Sequence, residues 1–290
     1  MSVTRLLFAW WVRPGKTRYL RVGGLKRSYL IHFPKGYNPK TPTPVVLALH
    51  GATMNGPMMA WFCGLNRTAD EAGFIAVYPN GTGSFSSLNW NAGTCCGDAV
   101  QKNVDDVAFI NAVLDDLIQS CNVDVRRIYV TGMSNGGMMA YRLASELSHR
   151  LAAVAPVAGT MGTRTCHPSR PVPILHFHGT DDKFMPYGGG RSPSGKLLYS
   201  VDHSLQSWVK VNGCDEQPTT TVLSESDDEM KVTQKTYQNA DGVEVVLVEI
   251  EGGGHTWPGM SPPAADLGKS ALHVSANKLM SEFFEKHTLK

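Results

Sequence analysis

A serine between two glycines, in the pattern Gly-x-Ser-x-Gly, is the feature of this sequence most suited to covalent chemistry. The pattern runs from Gly132 to Gly136, with Ser134 at its centre. Residues 127–130, just before it, are predicted to form a strand, and residues 138–147, just after it, a helix. A tight strand-to-helix turn exposes the serine hydroxyl, and the glycines avoid collisions with neighbouring backbone. These flanks favour Ser134 as a nucleophile over an incidental serine in a glycine-rich turn.

A serine hydroxyl becomes an effective nucleophile when a histidine accepts its proton and a carboxylate orients that histidine. In hydrolases with this type of turn, the acid and then the histidine follow the serine along the chain, each after a later strand. One predicted strand leads into Asp181 and Asp182, and a later one leads through three glycines into His255. We therefore expect Ser134, His255 and one of the two aspartates to form a catalytic triad.

Attack by a serine on a carbonyl group also needs backbone N–H groups that stabilise the developing oxyanion. One donor normally belongs to the residue after the nucleophile, here Asn135, and the other to the loop after an earlier strand. That strand ends at His50, which makes Ala52 or Thr53 the second donor. Losing one such donor costs on the order of 3 kcal/mol of barrier. His50 itself is expected to position the backbone beside this loop.

A metal site is the less favoured interpretation of a nearby histidine pair. His176 and His178 alternate on a predicted strand and could bind a metal together with Asp181 or Asp182. An H-x-H pattern on a strand more often serves packing, and no third ligand group is evident. The six cysteines match no zinc pattern of paired C-x-x-C units. Acyl transfer by a Ser-His-Asp triad needs neither a metal nor an organic cofactor, so we expect none.

Composition indicates a folded protein without polyanionic partners. The chain has 290 residues, of which 42% are hydrophobic and 18% charged, and its formal net charge is +2. The hydrophobic content excludes a disordered tail protein. The nearly balanced charge gives no indication of a basic surface that would bind nucleic acid or membranes. The length allows one or two domains, and one is the simpler interpretation. An apolar run at residues 6–12 follows Arg5 and is interpreted as a remnant of an export segment or as a surface strand.

The elements that must position the candidate residues are alternating strands and helices. A glycine pair between residues 18–22 and 27–33 predicts an antiparallel hairpin. Further strands are predicted at residues 45–49, 74–78, 127–130, 151–157, 172–177 and 243–250, and helices at 69–73, 105–117, 138–147 and 275–287. Residues 81–103 and 188–195 are expected to be loops. This order predicts an α/β fold with a mostly parallel central sheet and helices on both faces.

The cysteines leave their pairing open. Cys95 and Cys96 are adjacent, and a bond between them would need a strained ring, so a bond from one of them to a distant cysteine is favoured. Buried free thiols are about equally expected.

Six motifs in the same order resemble those of the polyhydroxybutyrate depolymerase-like and feruloyl esterase family, in carbohydrate esterase family one of the α/β-hydrolase superfamily. The motifs are Leu49-His50-Gly51, Trp90-Asn91-Ala92-Gly93 with Cys95-Cys96-Gly97, Val104-Asp105-Asp106-Val107, Gly132-Met133-Ser134-Asn135-Gly136-Gly137-Met138, His178-Gly179-Thr180 through Pro186-Tyr187, and Gly253-Gly254-His255-Thr256-Trp257-Pro258-Gly259. The resemblance covers about residues 17 to 287.

This resemblance implies a single α/β-hydrolase catalytic domain at residues 17–290, after an N-terminal extension of residues 1–16. It implies a serine esterase whose catalytic acid is Asp182, with Asp181 as the fallback. Met185 stands where the family usually has valine, and Cys214 lacks the partner that the family often supplies near residues 238–241. Relatives are commonly secreted, so the resemblance implies a secreted or periplasmic protein.

The substrate expected from the resemblance is an ester of the plant cell wall, of the feruloyl or cinnamoyl type. Hydroxybutyrate oligomers and acetylxylan are the alternatives, and a non-catalytic binding protein or an acyltransferase is a more distant one. Trp90, Tyr187 and Trp257 lie on predicted active-site loops and could form an aromatic wall for a phenolic acyl group or a sugar ring. Ordinary loop packing of the three is equally expected. The expected partner is thus a small or oligosaccharide-linked ester.

Overall fold

The computed structural model describes residues 16–84, 87–191, 195, 197–226 and 229–290. The predicted N-terminal extension lies outside the described residues except for its last residue, Lys16, and so does the apolar run at residues 6–12. The predicted loop at residues 188–195 is described only in part.

The centre of the structure is a ten-stranded sheet in the order β1-β2-β4-β3-β7-β8-β9-β14-β13-β12. The strands are β1 (Lys16–Val22), β2 (Leu25–His32), β3 (Thr43–Leu49), β4 (Ile75–Pro79), β5 (Thr82–Ser84), β6 (Ser87–Asn89), β7 (Val123–Met133), β8 (Ala153–Val157), β9 (Ile174–Gly179), β10 (Gly190–Arg191), β11 (Leu197–Leu198), β12 (Thr219–Ser226), β13 (Glu229–Gln238) and β14 (Glu244–Ile250). The six strands from β4 to β14 are parallel to one another, and antiparallel strands complete both edges. The expected mostly parallel sheet and N-terminal hairpin are confirmed.

Helices cover both faces of this sheet. They are α1 (Gly56–Cys63), α2 (Leu65–Ala72), α3 (Gly97–Gln101), α4 (Asp106–Ser120), α5 (Asn135–Glu146), α6 (Val201–Asn212) and α7 (Ala276–Lys286), with a short 3-10 helix at Ala265–Leu267. One hydrophobic core lies between the sheet and α4, α5 and α6, and a second lies between the sheet and α1, α2 and α7. Along β3, Leu47 and Leu49 belong to the first core, whereas Val46 and Ala48 belong to the second. This alternation explains why β3 is a nearly continuous apolar run.

Local capping signals set several helix ends as predicted. The Asp105 side chain accepts a hydrogen bond from the Ala108 amide at the start of α4. Gly73 ends α2 in the left-handed conformation, with φ of 76°. Of the two candidate caps for α4, Asp105 is thus the cap, while Asp106 is buried and pairs with Arg27 at 2.6 Å.

Several elements of the fold were not predicted, namely helix α1, helix α6, the short strands β10 and β11, and the hairpin of β12 and β13. The buried face of α6 carries Val201, Leu205 and Trp208, a helical spacing that predicts this element in retrospect. β12 begins with three exposed threonines at the sheet edge, and such a polar strand gives little hydrophobic signal. The predicted loop at residues 81–103 also contains two short strands and α3.

The expectation of a bond from Cys95 or Cys96 to a distant cysteine is wrong, because the structure pairs the two with each other. The peptide bond between Cys95 and Cys96 is cis, and their Cα atoms lie 3.1 Å apart. Cys63, Cys121, Cys166 and Cys214 are free, so Cys214 lacks a partner, as the resemblance implied.

None of the helices in the described residues is both long enough and apolar enough to cross a membrane.

Candidate active site

Ser134 lies in a strained turn between β7 and α5. Its φ of 56° and ψ of −120° are unusual for a residue with a side chain. A Cβ atom added at Gly132 would lie 2.5 Å from the Gly136 backbone oxygen, and one added at Gly136 would lie 2.2 Å from the Leu49 backbone oxygen. Both glycines are therefore required by backbone contacts, as the sequence argument expected.

A third glycine at this turn was not recognised from the sequence. A Cβ atom on Gly159 would lie 2.3 Å from the Ser134 backbone oxygen. Gly159 follows Ala158, which has a positive φ of 47° at the end of β8. The available signal was a glycine two residues after the end of a predicted strand.

Asp182 and His255 are in direct contact at the carboxyl edge of the sheet. Asp182 follows β9 and His255 follows β14, and His255 Nδ1 lies 2.7 Å from Asp182 Oδ2. The other carboxylate oxygen of Asp182 accepts the amides of Phe184 at 2.9 Å and Met185 at 2.8 Å. Asp181 is exposed and forms no such contact within the described residues.

The environment of Asp182 favours its charged form. Burial alone would raise the pKa of this carboxyl, but the hydrogen bond with His255 and the Met185 amide outweigh it and lower that pKa below its usual value. A charged carboxylate in contact with Nδ1 holds the proton of His255 on Nδ1 and leaves Nε2 free to accept a proton.

Ser134 reaches the same edge as this pair because β7, β8, β9 and β14 are parallel neighbours. The Ser134 hydroxyl forms no hydrogen bond with His255 or with any other residue in the described part of the chain. Catalytic hydrogen bonds are often long before substrate binds, so the absence of this hydrogen bond is compatible with Ser134 as nucleophile and His255 as base.

The two candidate residues for the second oxyanion donor differ in structure. The Thr53 amide donates to Leu88 O at 3.0 Å and is therefore engaged elsewhere. The Ala52 amide has no backbone acceptor within the described residues. The Asn135 amide, at the first position of α5, has no acceptor inside its own helix. Asn135 and Ala52 thus present N–H groups near Ser134, and Thr53 does not.

His50 positions the Ala52 loop, as expected. Its Nε2 accepts the Gly81 amide at 2.9 Å, so its Nδ1 carries the proton and donates to Gly51 O at 2.8 Å. Burial lowers the pKa of His50 to about 4, which keeps the ring neutral. Trp90 connects His50 to the turn that carries Ser134. Its indole N–H donates to His50 O at 2.9 Å, and its amide donates to Asn135 Oδ1 at 2.7 Å.

The expected aromatic wall is not formed by the two tryptophans. Trp90 and Trp257 are 0% and 1% exposed. Their indole N–H groups donate to His50 O and Asn277 Oδ1, each at 2.9 Å. The two tryptophans are therefore packed inside the protein, which is the alternative that the sequence analysis considered. The Tyr187 ring meets a buried histidine edge-on, and its hydroxyl donates to Glu249.

The sequence argument missed an aromatic residue that does border the site. Phe184 is partly exposed, and its ring centroid lies 5.2 Å from that of His255. Its position two residues after Asp182 was the only signal for it.

The histidine pair considered for a metal is engaged in hydrogen bonds instead. His176 and His178 share a hydrogen bond, and their other ring nitrogens contact Tyr141 and the Met185 carbonyl. The described residues contain no cluster of three or more histidine, cysteine, aspartate or glutamate side chains arranged to hold a metal ion.

Comparison with known proteins identifies the family. The model of the family "Esterase PHB depolymerase" matches residues 27–167. The protein named "Putative esterase NocK", of Nocardia uniformis subsp. tsuyamanensis, is 32% identical over 85% of this chain and 75% of its own length. Feruloyl esterase B of Piromyces equi is 31% identical over 79% of this chain, which spans only 42% of that relative.

A solved structure supports the fold. The acetyl xylan esterase from Aspergillus awamori superposes with a TM-score of 0.61, over 83% of this chain and 94% of that one, at 17% identity. The chain therefore belongs to the Esterase PHB depolymerase family and has the α/β-hydrolase fold.

Proposed function

We propose that this esterase hydrolyses carboxylic esters by two-step acyl transfer, with Ser134 as nucleophile, His255 as proton carrier and Asp182 as orienting carboxylate. The observation that carries the proposal is the 2.7 Å contact between His255 Nδ1 and Asp182 Oδ2, on the sheet edge that also carries the strained Ser134 turn. Three side chains of these types at one sheet edge form the set that acyl transfer needs.

In the first step the Ser134 hydroxyl attacks the ester carbonyl while His255 Nε2 takes its proton. The negative charge that develops on the carbonyl oxygen is stabilised by the amides of Asn135 and Ala52. His255 then donates the proton to the departing alcohol, and the acyl group remains on Ser134. The chain supplies all of these groups from its own residues.

In the second step water attacks the acyl-serine bond, and His255 again accepts and returns a proton. The carboxylic acid leaves and the Ser134 hydroxyl is restored. Asp182 keeps its charge throughout and stabilises the imidazolium form of His255 that arises in each step.

For the substrate, we propose a hydroxycinnamoyl ester of the feruloyl type. Feruloyl esterase B is among the relatives, and the partly exposed ring of Phe184 beside His255 offers a phenolic acyl group an aromatic surface. Acetylated xylan is the second candidate, because the relative XynS20E of Neocallimastix patriciarum is named a bifunctional acetylxylan esterase/xylanase. Plant cell-wall esters lie outside the consuming cell, so the proposal includes secretion.

Labelling and a substrate panel test the two parts of this proposal separately. A fluorophosphonate should label the protein covalently, and Ser134→Ala should abolish both labelling and hydrolysis of p-nitrophenyl acetate. Labelling without any hydrolysis would instead indicate an acyltransferase, and neither would indicate a binding protein. A comparison of kcat/KM for methyl ferulate, acetylated xylan and hydroxybutyrate oligomers tests the substrate. A more than tenfold preference for either of the last two would contradict the feruloyl assignment.

A further inference from the structure

A chain of three buried polar side chains lies next to Asp182 and takes no part in the proposed acyl transfer. His176 and His178 on β9 and Tyr141 on α5 are at most 2% exposed. The Tyr141 hydroxyl lies 2.8 Å from His176 Nδ1, and His176 Nε2 lies 3.0 Å from His178 Nδ1. His178 Nε2 then lies 2.8 Å from Met185 O. These contacts form one continuous row of hydrogen bonds, which we call the histidine chain.

The carbonyl group at its end fixes the direction of every hydrogen bond in the histidine chain. Met185 O can only accept, so His178 Nε2 carries a proton. Burial lowers the pKa of both imidazoles and keeps them neutral, so His178 Nδ1 has no proton and accepts from His176 Nε2. His176 Nδ1 therefore accepts from the Tyr141 hydroxyl. Every bond points towards Met185, and every ring nitrogen has a partner.

Met185 joins the histidine chain to the catalytic carboxylate. The Met185 amide donates to Asp182 Oδ1, and its carbonyl accepts from His178. His178 Nε2 also lies 3.6 Å from Asp182 Oδ2, the oxygen that contacts His255. The turn that receives the hydrogen bond of His178 is thus the turn that presents Asp182 to His255.

We propose that His178 is a positioning residue for the Asp182–His255 pair, and that His176 and Tyr141 hold it in the tautomer this role requires. The inference rests on the proposed function, because it assigns His178 a role in orienting the catalytic base. With its N–H on Met185 O, His178 holds the turn so that Asp182 Oδ2 faces His255. Because His178 is neutral, it does not compete with His255 as a cationic partner for the carboxylate.

Packing alone does not explain this arrangement. An apolar side chain would fill the same volume on β9 without having to satisfy two ring nitrogens. Buried polar groups cost free energy unless each is hydrogen-bonded, and the histidine chain meets that demand only in one tautomer of each ring. Trp208 on α6 provides a comparison, because it stacks on Tyr141 at 6.3 Å without contributing a hydrogen bond to the chain.

A matched pair of substitutions separates positioning from packing. His178→Gln places an amide N–H near the position of Nε2 and keeps a donor for Met185 O, whereas His178→Asn is one methylene shorter and loses it. We expect His178→Asn to lower kcat about 100-fold, because a displacement of about 1 Å at a catalytic group has an effect of this size. His178→Gln should restore kcat to within about fivefold of the unsubstituted protein. KM should change little in either variant.

Two readouts keep the test independent of folding and of the proposed function. Trp208→Phe is the packing control and should lower the Tm while leaving kcat unchanged. Nitrogen NMR of 15N-histidine-labelled protein should show both His176 and His178 protonated at Nε2 alone. The strongly deshielded Nδ1 proton of His255 should persist in His178→Gln and disappear in His178→Asn.

Three results would overturn the inference. They are equal kcat in the Asn and Gln variants when both are folded by Tm, a protonated His178 Nδ1, and a His255 proton signal that is unchanged in His178→Asn. Failure of the proposed function would look different. In that case Ser134→Ala would keep its activity, while the tautomers of the histidine chain would still be as described.

Discussion

Replacing Asp182 by asparagine should remove nearly all activity, and the structure shows which tautomer of His255 would result. Asp182 Oδ1 accepts two amides, from Phe184 and Met185. In Asp182→Asn only the amide oxygen can take that position, so the NH2 group must occupy the position of Oδ2. A donor would then face His255 Nδ1 in place of an acceptor.

The consequence is a histidine in the wrong tautomer. His255 Nδ1 would have to lose its proton to accept from the new NH2 group, and Nε2 would carry the proton. Nε2 could then no longer accept a proton from Ser134. A tautomer error of this kind lowers kcat about 10⁴-fold in a serine triad, which corresponds to about 5.4 kcal/mol at about 1.36 kcal/mol per factor of ten.

The assay is steady-state hydrolysis of p-nitrophenyl acetate, with the Tm measured alongside. Asp181→Asn is the matched control, since it makes the same chemical change at an exposed neighbouring position and should leave kcat within about twofold, as surface substitutions usually do. The reasoning is refuted if Asp182→Asn keeps more than a tenth of the activity while folded. It is also refuted if the Asp181 and Asp182 variants lose activity equally.

Three further predictions concern stability. Gly136→Ala should destabilise the fold by more than about 2 kcal/mol, because the new Cβ would lie 2.2 Å from a backbone oxygen, whereas Gly188→Ala has open space and should change little in thermal unfolding. Since the folded-state pKa of Asp182 is lowered, its contribution to stability should be present at neutral pH and be lost as pH falls through that lowered pKa; in urea unfolding, the Asp182→Asn variant should lack this acid-dependent loss. Arg27→Met should cost about 3–5 kcal/mol by leaving the Asp106 carboxylate buried and unpaired, and Arg27→Met combined with Asp106→Leu should recover part of this in a double-mutant cycle.

The sequence was most informative where strands end. Ser134, Asp182 and His255 each follow a buried parallel strand, and the carboxyl ends of such strands meet at one edge. Spacing alone did not decide whether Asp181 or Asp182 is the candidate acid. The two are adjacent on a turn, where their side chains point in different directions that the sequence does not specify. The resemblance selected Asp182, which is the aspartate in contact with His255.

The sequence was least informative about which way a loop side chain faces. Trp90 and Trp257 lie in motifs beside the site, yet both indoles point into the protein, where one donates to His50 O and the other to Asn277 on α7. Nothing in their spacing distinguishes an indole that lines a cleft from one that supports it, because loops lack the periodicity that assigns faces in helices and strands. The oxyanion donor was ambiguous for the same reason, since only the bond from Thr53 to Leu88 separates Thr53 from Ala52.

The support around the nucleophile has two sides with different chemistry. On the proposed oxyanion side, the buried Trp90 donates its indole N–H to His50 O and its amide to Asn135 Oδ1, and these hydrogen bonds connect the two segments that carry the proposed oxyanion donors. On the acid side, the histidine chain ends at Met185 O and fixes the turn that holds Asp182. On the acid side a neutral His178 suits the proposed mechanism, because a cationic His178 would compete with His255 for the Asp182 carboxylate. In the proposed mechanism, the buried aromatic and histidine residues of the motifs would therefore act through the backbone they hold rather than by touching the substrate.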